Sequence, residues 1–506
     1  MNTAIKTFLL AALLTLTSMM YAQQSIPLGR TQNRLDLMED QSQHLRLQID
    51  YAQLQSVRLE KPQGSFNEIS LEGSLFDGAV GDPKLPVTQR LLEIPFGAEV
   101  EVKVLGCSEQ VIDLADYGIE KIVPAQAPVS KNDLPENAPF VINEAAYARD
   151  EFLGQPLAQV EVLGTMRGYR IAKLVLSPVS YNPVQGKIRV CNHIDLEISF
   201  LGANLALTNE VKAKTWSPYF DFIQDNFLNK GVGRDYPNNP DLTRYPIKYV
   251  IVADRMFDGY LDDFIRWKTK KGFQVILAYT DEIGSTQAAI QAYLHGLYNN
   301  ATVDDPAPSF ILFVGDTQQI PSYTGTSSLK VTDVYYASVD GDYFPEMYYG
   351  RFSARTVDEL MPQIEKTLYY EQYQFVDPSY LSRATLIAGW DEYWTEQIGQ
   401  PTIRYGMESW FNEDHGYSGV YPFYGPDDYD GCYEDDMVSV SMINYTAHCS
   451  ETVWGTPALS SSGIYGMHNE GFYPLAIGNC CESSQFGYGE CIGESWLRAD
   501  KKGEVC

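Results

Sequence analysis

The chain has 506 residues, enough for two or three domains with cores of their own, and its 44% hydrophobic content is that of a globular protein. Its formal charge of −29 argues against a nucleic-acid partner, because phosphate binding needs clustered Lys and Arg. An acidic balance suits a soluble surface, calcium ligation or cationic substrates, and the 35 tyrosines suit extracellular surroundings without requiring them.

Lys6 precedes an apolar run from Phe8 to Met20, and Ala22 offers a small residue for cleavage before Gln23, with Met20 at the −3 position. This pattern predicts a secretory signal over residues 1–22, its apolar run too short to span a bilayer. No other segment reads as transmembrane, so the chain is expected outside the cell, secreted or at the cell surface. Residues 23–234 read as an all-β region. VEVKVL (Val100–Leu105), YRIAKLVL (Tyr169–Leu176) and IDLEISF (Ile194–Phe200) alternate apolar and polar positions, and GDPKLP (Gly81–Pro86) and SYNPVQG (Ser180–Gly186) supply turns. No catalytic constellation is evident there. LNKGVGRDYPNNPDLTRYP (Leu228–Pro246) is rich in Gly, Asn and Pro, which fits a protease-sensitive linker and an ordinary interdomain loop equally well.

From residue 235 the pattern changes. Apolar runs at Ile247–Asp254, Phe273–Tyr279, Ser309–Asp316, Ala384–Asp391, Val438–His448 and Phe472–Cys481 alternate with helical stretches at Tyr260–Lys271, Ser285–Tyr298 and Thr402–Asn412. Alternating strand and helix predicts parallel sheets with right-handed crossovers. A helix-like stretch ahead of Pro378 divides the region into halves, 235–377 and 378–506. Eight cysteines in a secreted chain invite a disulfide framework. Cys107, Cys191 and Cys432 stand alone, however, while Cys449, Cys480, Cys481, Cys491 and Cys506 crowd the end, a distribution expected of a thiol site.

Active sites in α/β sheets form where parallel strands end. Two runs here finish on reactive groups, one at His448 and one at Cys480–Cys481, with room between them for a crossover and the next strand. On neighbouring strands the imidazole could take the thiol proton and later protonate a leaving amine. Each residue alone is more often structural: a His at a strand end, or a buried Cys acting as a small hydrophobe.

NYTAHCSETVWG (Asn444–Gly455) and YPLAIGNCCESSQFGYGECIGE (Tyr473–Glu494) resemble the His and Cys blocks of the gingipain family of cysteine peptidases, most closely its lysine-specific members. The resemblance continues through KTKKGFQVILAYTDE, FVGDTQQIP, VTDVYYASVDGDYFPEM and IGQPTIRYGM, and more weakly into the N-terminal half, which is similar to the gingipain propeptide. It implies a caspase-like α/β catalytic domain with two parallel-sheet subdomains, preceded by a β-rich propeptide. It also implies Cys481 as nucleophile, with Cys480 on the opposite face of its strand, His448 as base and Asp391 as the carboxylate behind the imidazole. The N–H groups of Cys481 and Cys449 would form the oxyanion hole, and Thr446 would line the substrate pocket. Without the resemblance, Asp391 reads as a helix-capping loop residue.

Two departures stand out. The family has Gly where this chain has Cys449; a side chain there costs roughly 1–2 kcal/mol if the backbone takes φ > 0, and the thiol is expected to crowd the carbonyl site or to pair with Cys481. The family also continues past the position of Cys506 into another strand, a loop walling the S1 pocket and an immunoglobulin-like domain, so the chain is expected to be incomplete there.

VDGDYFPE places carboxylates at Asp340, Asp342 and Glu346 with the Phe344 carbonyl between, spaced like the start of a calcium loop but also like an acidic surface turn. The resemblance implies a structural Ca2+ here, with Asp316 as a further ligand, and a second at the Phe486 carbonyl and Glu494. It also implies removal of the propeptide, which acts as inhibitor, after Arg234. The resulting expectation is a secreted cysteine endopeptidase precursor that cleaves protein or peptide substrates after a basic residue, Lys ahead of Arg. Cys449 and the chain end keep open an inactive surface-binding or haem-acquiring homologue; a thiol transferase on the same sheet stands third.

Overall fold

Strict alternation builds the N-terminal region. His44–Asp50 buries Leu45, Leu47 and Ile49 and turns its polar residues outward, and Lys187–Leu201 does the same with Ile194, Leu196, Ile198 and Phe200. These two strands pair antiparallel, and Glu99–Asp113 pairs along Lys187–Leu201 as well. Arg34–Gln41 and Val179–Asn182 complete a five-stranded sheet. A four-stranded antiparallel sheet (Leu75–Asp77, Leu85–Glu93, Tyr169–Leu176, Ala158–Met166) and a three-stranded one (Gln24–Pro27, Gln53–Lys61, Gly64–Ser70) share its core through Leu92, Leu174, Ile26 and Ile69.

The structure is a computed structural model describing residues 24–130, 137–232, 246–326 and 330–504, and the chain divides into two compact units, Met1–Lys212 with Phe220–Pro237 and Ala213–Tyr219 with Asn238–Cys506. The signal residues 1–22 and Arg234 lie outside the described residues. Two sequence expectations need correction here. The N-terminal region is β-rich rather than all-β: Leu205–Thr215 forms a helix, as its Ala, Leu, Glu and Lys content favours. Cys107 and Cys191 do not stand alone but form a disulfide. Their separation of 84 residues hides a proximity that appears only once Glu99–Asp113 lies along Lys187–Leu201.

In the second unit the strands are apolar on both faces, as parallel strands covered by helices must be. The first sheet has the order β2-β1-β3-β4, with β1 Ile247–Ala253, β2 Phe273–Tyr279, β3 Phe310–Val314 and β4 Tyr348–Phe352, all neighbours parallel. One face sends Val250, Val252, Ile311 and Phe313 against Ile290 and Leu294 of helix α1, Gln287–Asn299. The other sends Ile251, Ala253, Leu312 and Val314 against Leu360 and Ile364 of α2, Val357–Glu371. A 3-10 turn, Pro378–Ser382, leads into a second parallel sheet of order β6-β5-β7-β8, with β5 Arg383–Ala388, β6 Gly419–Phe423, β7 Met442–Thr446 and β8 Leu475–Asn479. Ile387, Ile443 and Tyr445 pack towards Ile492 and Trp496 of α4, Ile492–Arg498, while Leu386 and Ala388 meet Ile403 of α3, Gln400–Ser409. The unit is thus an α/β fold with two parallel-sheet halves.

Candidate active site

The register of the second sheet brings the candidate residues to one rim. β7 and β8 pair in parallel up to Thr446 and Asn479, and His448 and Cys481 each lie two residues beyond that last pair. β5, on the other side of β7, ends at Ala388, so Asp391 leaves the same edge. Gly389 makes this possible. A Cβ at Gly389 would land on the Ala447 side chain and within 2.5 Å of the Thr456 carbonyl oxygen. Only glycine lets the β5 exit pass so close to the His448 loop.

The Asp391 carboxylate then meets the imidazole. Its Oδ2 lies 2.7 Å from His448 Nε2, while Oδ1 accepts the backbone N–H groups of Tyr393 at 2.9 Å and Trp394 at 2.7 Å. The Asp391 N–H donates to Thr395 Oγ1 at 2.5 Å, and that hydroxyl donates to the Gly389 carbonyl at 2.8 Å, so the loop is closed on itself. Partial burial opposes the charge on Asp391, but the two N–H donors and the His448 ring outweigh it and hold the carboxyl below its usual range. An ionised carboxylate can only accept, so the ring proton belongs on Nε2 and Nδ1 carries the lone pair. The His448 carbonyl is fixed by the Gly455 N–H at 2.9 Å and the Tyr445 hydroxyl at 2.8 Å, and the Tyr445 ring stacks on Trp454.

Cys481 is a free, exposed thiol. The next residue, Glu482, takes a left-handed backbone with φ of 63°, uncommon for a side chain of its size and the kind of strain found beside reacting groups. Its carboxylate pairs with Lys330 at 2.6 Å. Among the described residues, the N–H groups of Cys449 and Cys481 have no protein acceptor, and both are therefore available to an oxygen placed between them.

Cys449 differs from expectation on both counts. Its φ is not positive, and it bridges Trp454 in extended conformation, so its side chain costs no left-handed strain. Its sulfur bonds to Cys480 rather than to Cys481. The cysteines near the chain end are therefore not a purely reduced cluster. Cys480 is fixed by this bond and not by facing the other side of a strand, because β8 has already ended at Asn479. Cys432 and Cys491 are buried thiols, each pushed up to about 12 by that burial. Thr446 is buried, its hydroxyl accepting from Asn444 at 3.0 Å and from Asn479 at 3.5 Å.

The acidic residues separate into two groups. Asp340, Asp342 and Glu346 have carboxylate oxygens within 4.8 Å of one another. Burial, opposed by the Val339 N–H and reinforced by Asp340 and Asp342, raises Glu346 to about 8. Asp316 does not join them. It and Glu494, expected in two different cation sites, converge on one buried guanidinium, that of Arg498, at 3.1 and 2.7 Å. Arg498 is thus a shared counter-charge for both carboxylates. The Phe486 ring lies 5.0 Å from the Arg351 guanidinium carbon. The capping role that the sequence suggested for Asp391 and the catalytic role implied by the resemblance fall on the two oxygens of one carboxylate, whereas the partners of Arg498 and the Cys449–Cys480 bond left no signal in the sequence.

The profile of peptidase family C25 matches residues 242–506, and that of the C25 propeptide matches residues 24–222. Lys-gingipain W83 of Porphyromonas gingivalis is 42% identical over 502 residues, which cover 98% of this chain and 29% of that protein. Gingipain R1 of Porphyromonas gingivalis is 25% identical over 501 residues, 97% of this chain and 48% of its own length. A solved structure described as a protease is 44% identical, with TM-score 0.50, covering 53% of this chain and 60% of its own. The chain spans under a third of the length of the Lys-gingipain relative.

Proposed function

From the premise that this chain belongs to peptidase family C25, with a C25 propeptide ahead of its catalytic region, we propose that it is the precursor of a secreted cysteine endopeptidase that cleaves after a basic residue, Lys ahead of Arg. The observation that carries the reading is the 2.7 Å His448–Asp391 contact beside a strand register that sets His448 and Cys481 at one level.

His448 Nδ1 removes the Cys481 thiol proton, and the thiolate attacks the carbonyl carbon of the scissile peptide. The N–H groups of Cys481 and Cys449 stabilise the oxyanion, and Asp391 stabilises the imidazolium. The imidazolium gives its proton to the leaving amine, and water releases the acyl group from sulfur by the reverse steps. Thr446 contributes to the substrate pocket, and the charge of −29 favours approach of cationic substrates. The propeptide keeps the enzyme latent until cleavage after Arg234. The likeness to Lys-gingipain W83 supports the choice of Lys. No helix among the described residues is long and apolar enough to cross a membrane, which is compatible with secretion behind the signal at residues 1–22.

A lysyl chloromethylketone is expected to label Cys481 rapidly and lose that reaction in His448→Ala, with Cys432 and Cys491 untouched because both are buried. Slow labelling that ignores His448 would instead indicate an inactive binding protein. Asp340, Asp342 and Glu346, with the Phe344 carbonyl as another hard oxygen, would hold a structural Ca2+. Added Ca2+ should raise the Tm of the full chain, and Asp340→Asn with Asp342→Asn should abolish the rise. An unchanged Tm in both proteins rules the site out.

A further inference from the structure

Beyond Thr446 and Asn479 the ladder between β7 and β8 stops, yet the reaction needs the next two residues of each segment to stay aligned. The His448 side is well held. Its carbonyl accepts from the Gly455 N–H and the Tyr445 hydroxyl, and Cys449 bridges Trp454, which stacks on Tyr445. The Cys481 side is exposed and runs straight into the left-handed Glu482. The covalent tie between it and the His448 side is the disulfide between Cys449 and Cys480, whose α-carbons are 5.6 Å apart, beside a side-chain hydrogen bond between Glu482 and Glu451.

The placement of this bond is specific. One half-cystine follows His448 and the other precedes Cys481, so neither reacting side chain is more than one residue from the cross-link. The bond also commits Cys480, leaving Cys481 as the reduced member of the adjacent pair. It spans the two segments that carry the unpartnered N–H groups of Cys449 and Cys481. We infer that the Cys449–Cys480 disulfide is a positioning element for the reaction proposed above, setting the spacing between the His448 imidazole and the Cys481 thiol. The inference rests on that functional reading, but its central claim, the coupling of His448 to Cys481, can be measured without proteolysis.

Four versions of the whole chain decide the matter: the parent, His448→Ala, the double variant Cys449→Ser/Cys480→Ser, and the triple variant combining them. Iodoacetamide labelling of Cys481 is followed by mass spectrometry at a temperature where all four are folded. In the parent, His448→Ala should slow labelling about tenfold or more, because the imidazole generates the thiolate. Without the disulfide the same substitution should matter less than about twofold, the signature of lost coupling in a mutant cycle. Should the double variant fail to fold, mild reduction of the folded parent and of folded His448→Ala, with Cys107–Cys191 found intact by mass spectrometry, supplies the disulfide-free arm. A disulfide that merely stabilises would lower Tm and leave the His448 effect alike in both backgrounds; that result, or no His448 effect in either, overturns the inference. Hydrolysis of a lysyl amide after propeptide removal is read in parallel and should show a fall in kcat with KM little changed. If coupling depends on the disulfide while the parent hydrolyses nothing, the positioning role stands and the peptidase reading falls.

Discussion

Asp391 shows how a single side chain acquires a role from its neighbours. Two backbone N–H groups and a ring N–H converge on one carboxylate, so it stays ionised and fixes which imidazole nitrogen carries the proton. Asp391→Asn keeps the shape but can donate to the ring, inverting the tautomer. It should lower kcat by about 10²- to 10⁴-fold while KM and the fold persist, as kinetics on a lysyl substrate would show. The depressed carboxyl also sets a direction for pH. Its contribution to stability is present above about pH 4, the unfolded value, and is lost as pH falls through the lower folded value. The Tm difference between parent and Asp391→Asn should therefore shrink on acidification across that window; a constant gap would mean the carboxylate is not held as described. His448, Cys481 and Asp391 all end apolar runs, but only the family resemblance singled out Asp391 as the carboxylate behind the imidazole, because its ring partner lies 57 residues on, past the adjacent strand β7.

Elements were legible where their pattern is regular. Tyr169–Leu176 and Phe273–Tyr279 have the expected bounds because turn residues punctuate clean apolar runs. β4 and β6 escaped notice: one reads YYGRF and the other contains Pro422, which an edge strand tolerates because one side needs no ladder donor. The run Val438–His448 was expected as one strand, but Asp435–Val438 is helical and only Met442–Thr446 pairs; buried Val438 and Val440 mimic strand alternation from a turn. Gly389 is the element-scale device that the sequence could not reveal, since its need comes from Ala447 and Thr456, far along the chain. Gly389→Ala should force the β5 exit off the His448 loop. Repacking of this kind costs about 1–3 kcal/mol, and the displaced Asp391 should lower kcat more than KM. Urea unfolding beside steady-state kinetics checks both, and a variant with parent kinetics would show that the loops approach less closely than the structure has them.

On the scale of the whole catalytic unit, two sheets must be held so that one rim works as a site. Arg498 of α4 reaches across that unit. It contacts Asp316 just past β3 at 3.1 Å, the Ser353 carbonyl just past β4 at 2.9 Å, and Glu494 of its own helix at 2.7 Å. Its side chain is 1% exposed, and the carboxylates of Asp316 and Glu494 are 5% and 3% exposed. Burial raises Glu494, with the Ser353 hydroxyl and Arg498 opposing it. Removing the cation leaves two buried carboxylates with only Arg355, 3.8 Å from Asp316, as counter-charge, so Arg498→Ala should destabilise the unit by about 3–5 kcal/mol. Arg498→Lys restores the charge but not the planar fork, and should fall between parent and Arg498→Ala. The decisive comparison is Asp316→Asn/Glu494→Gln/Arg498→Met, in which the guanidinium leaves together with its two most buried carboxylate partners. If the cluster serves mainly to neutralise itself, this variant is more stable than Arg498→Ala despite two further substitutions, because the uncompensated charges are gone. Urea unfolding of all three would read the order directly, and a triple variant weaker than Arg498→Ala would mean that the ion pairs themselves hold the sheets in register.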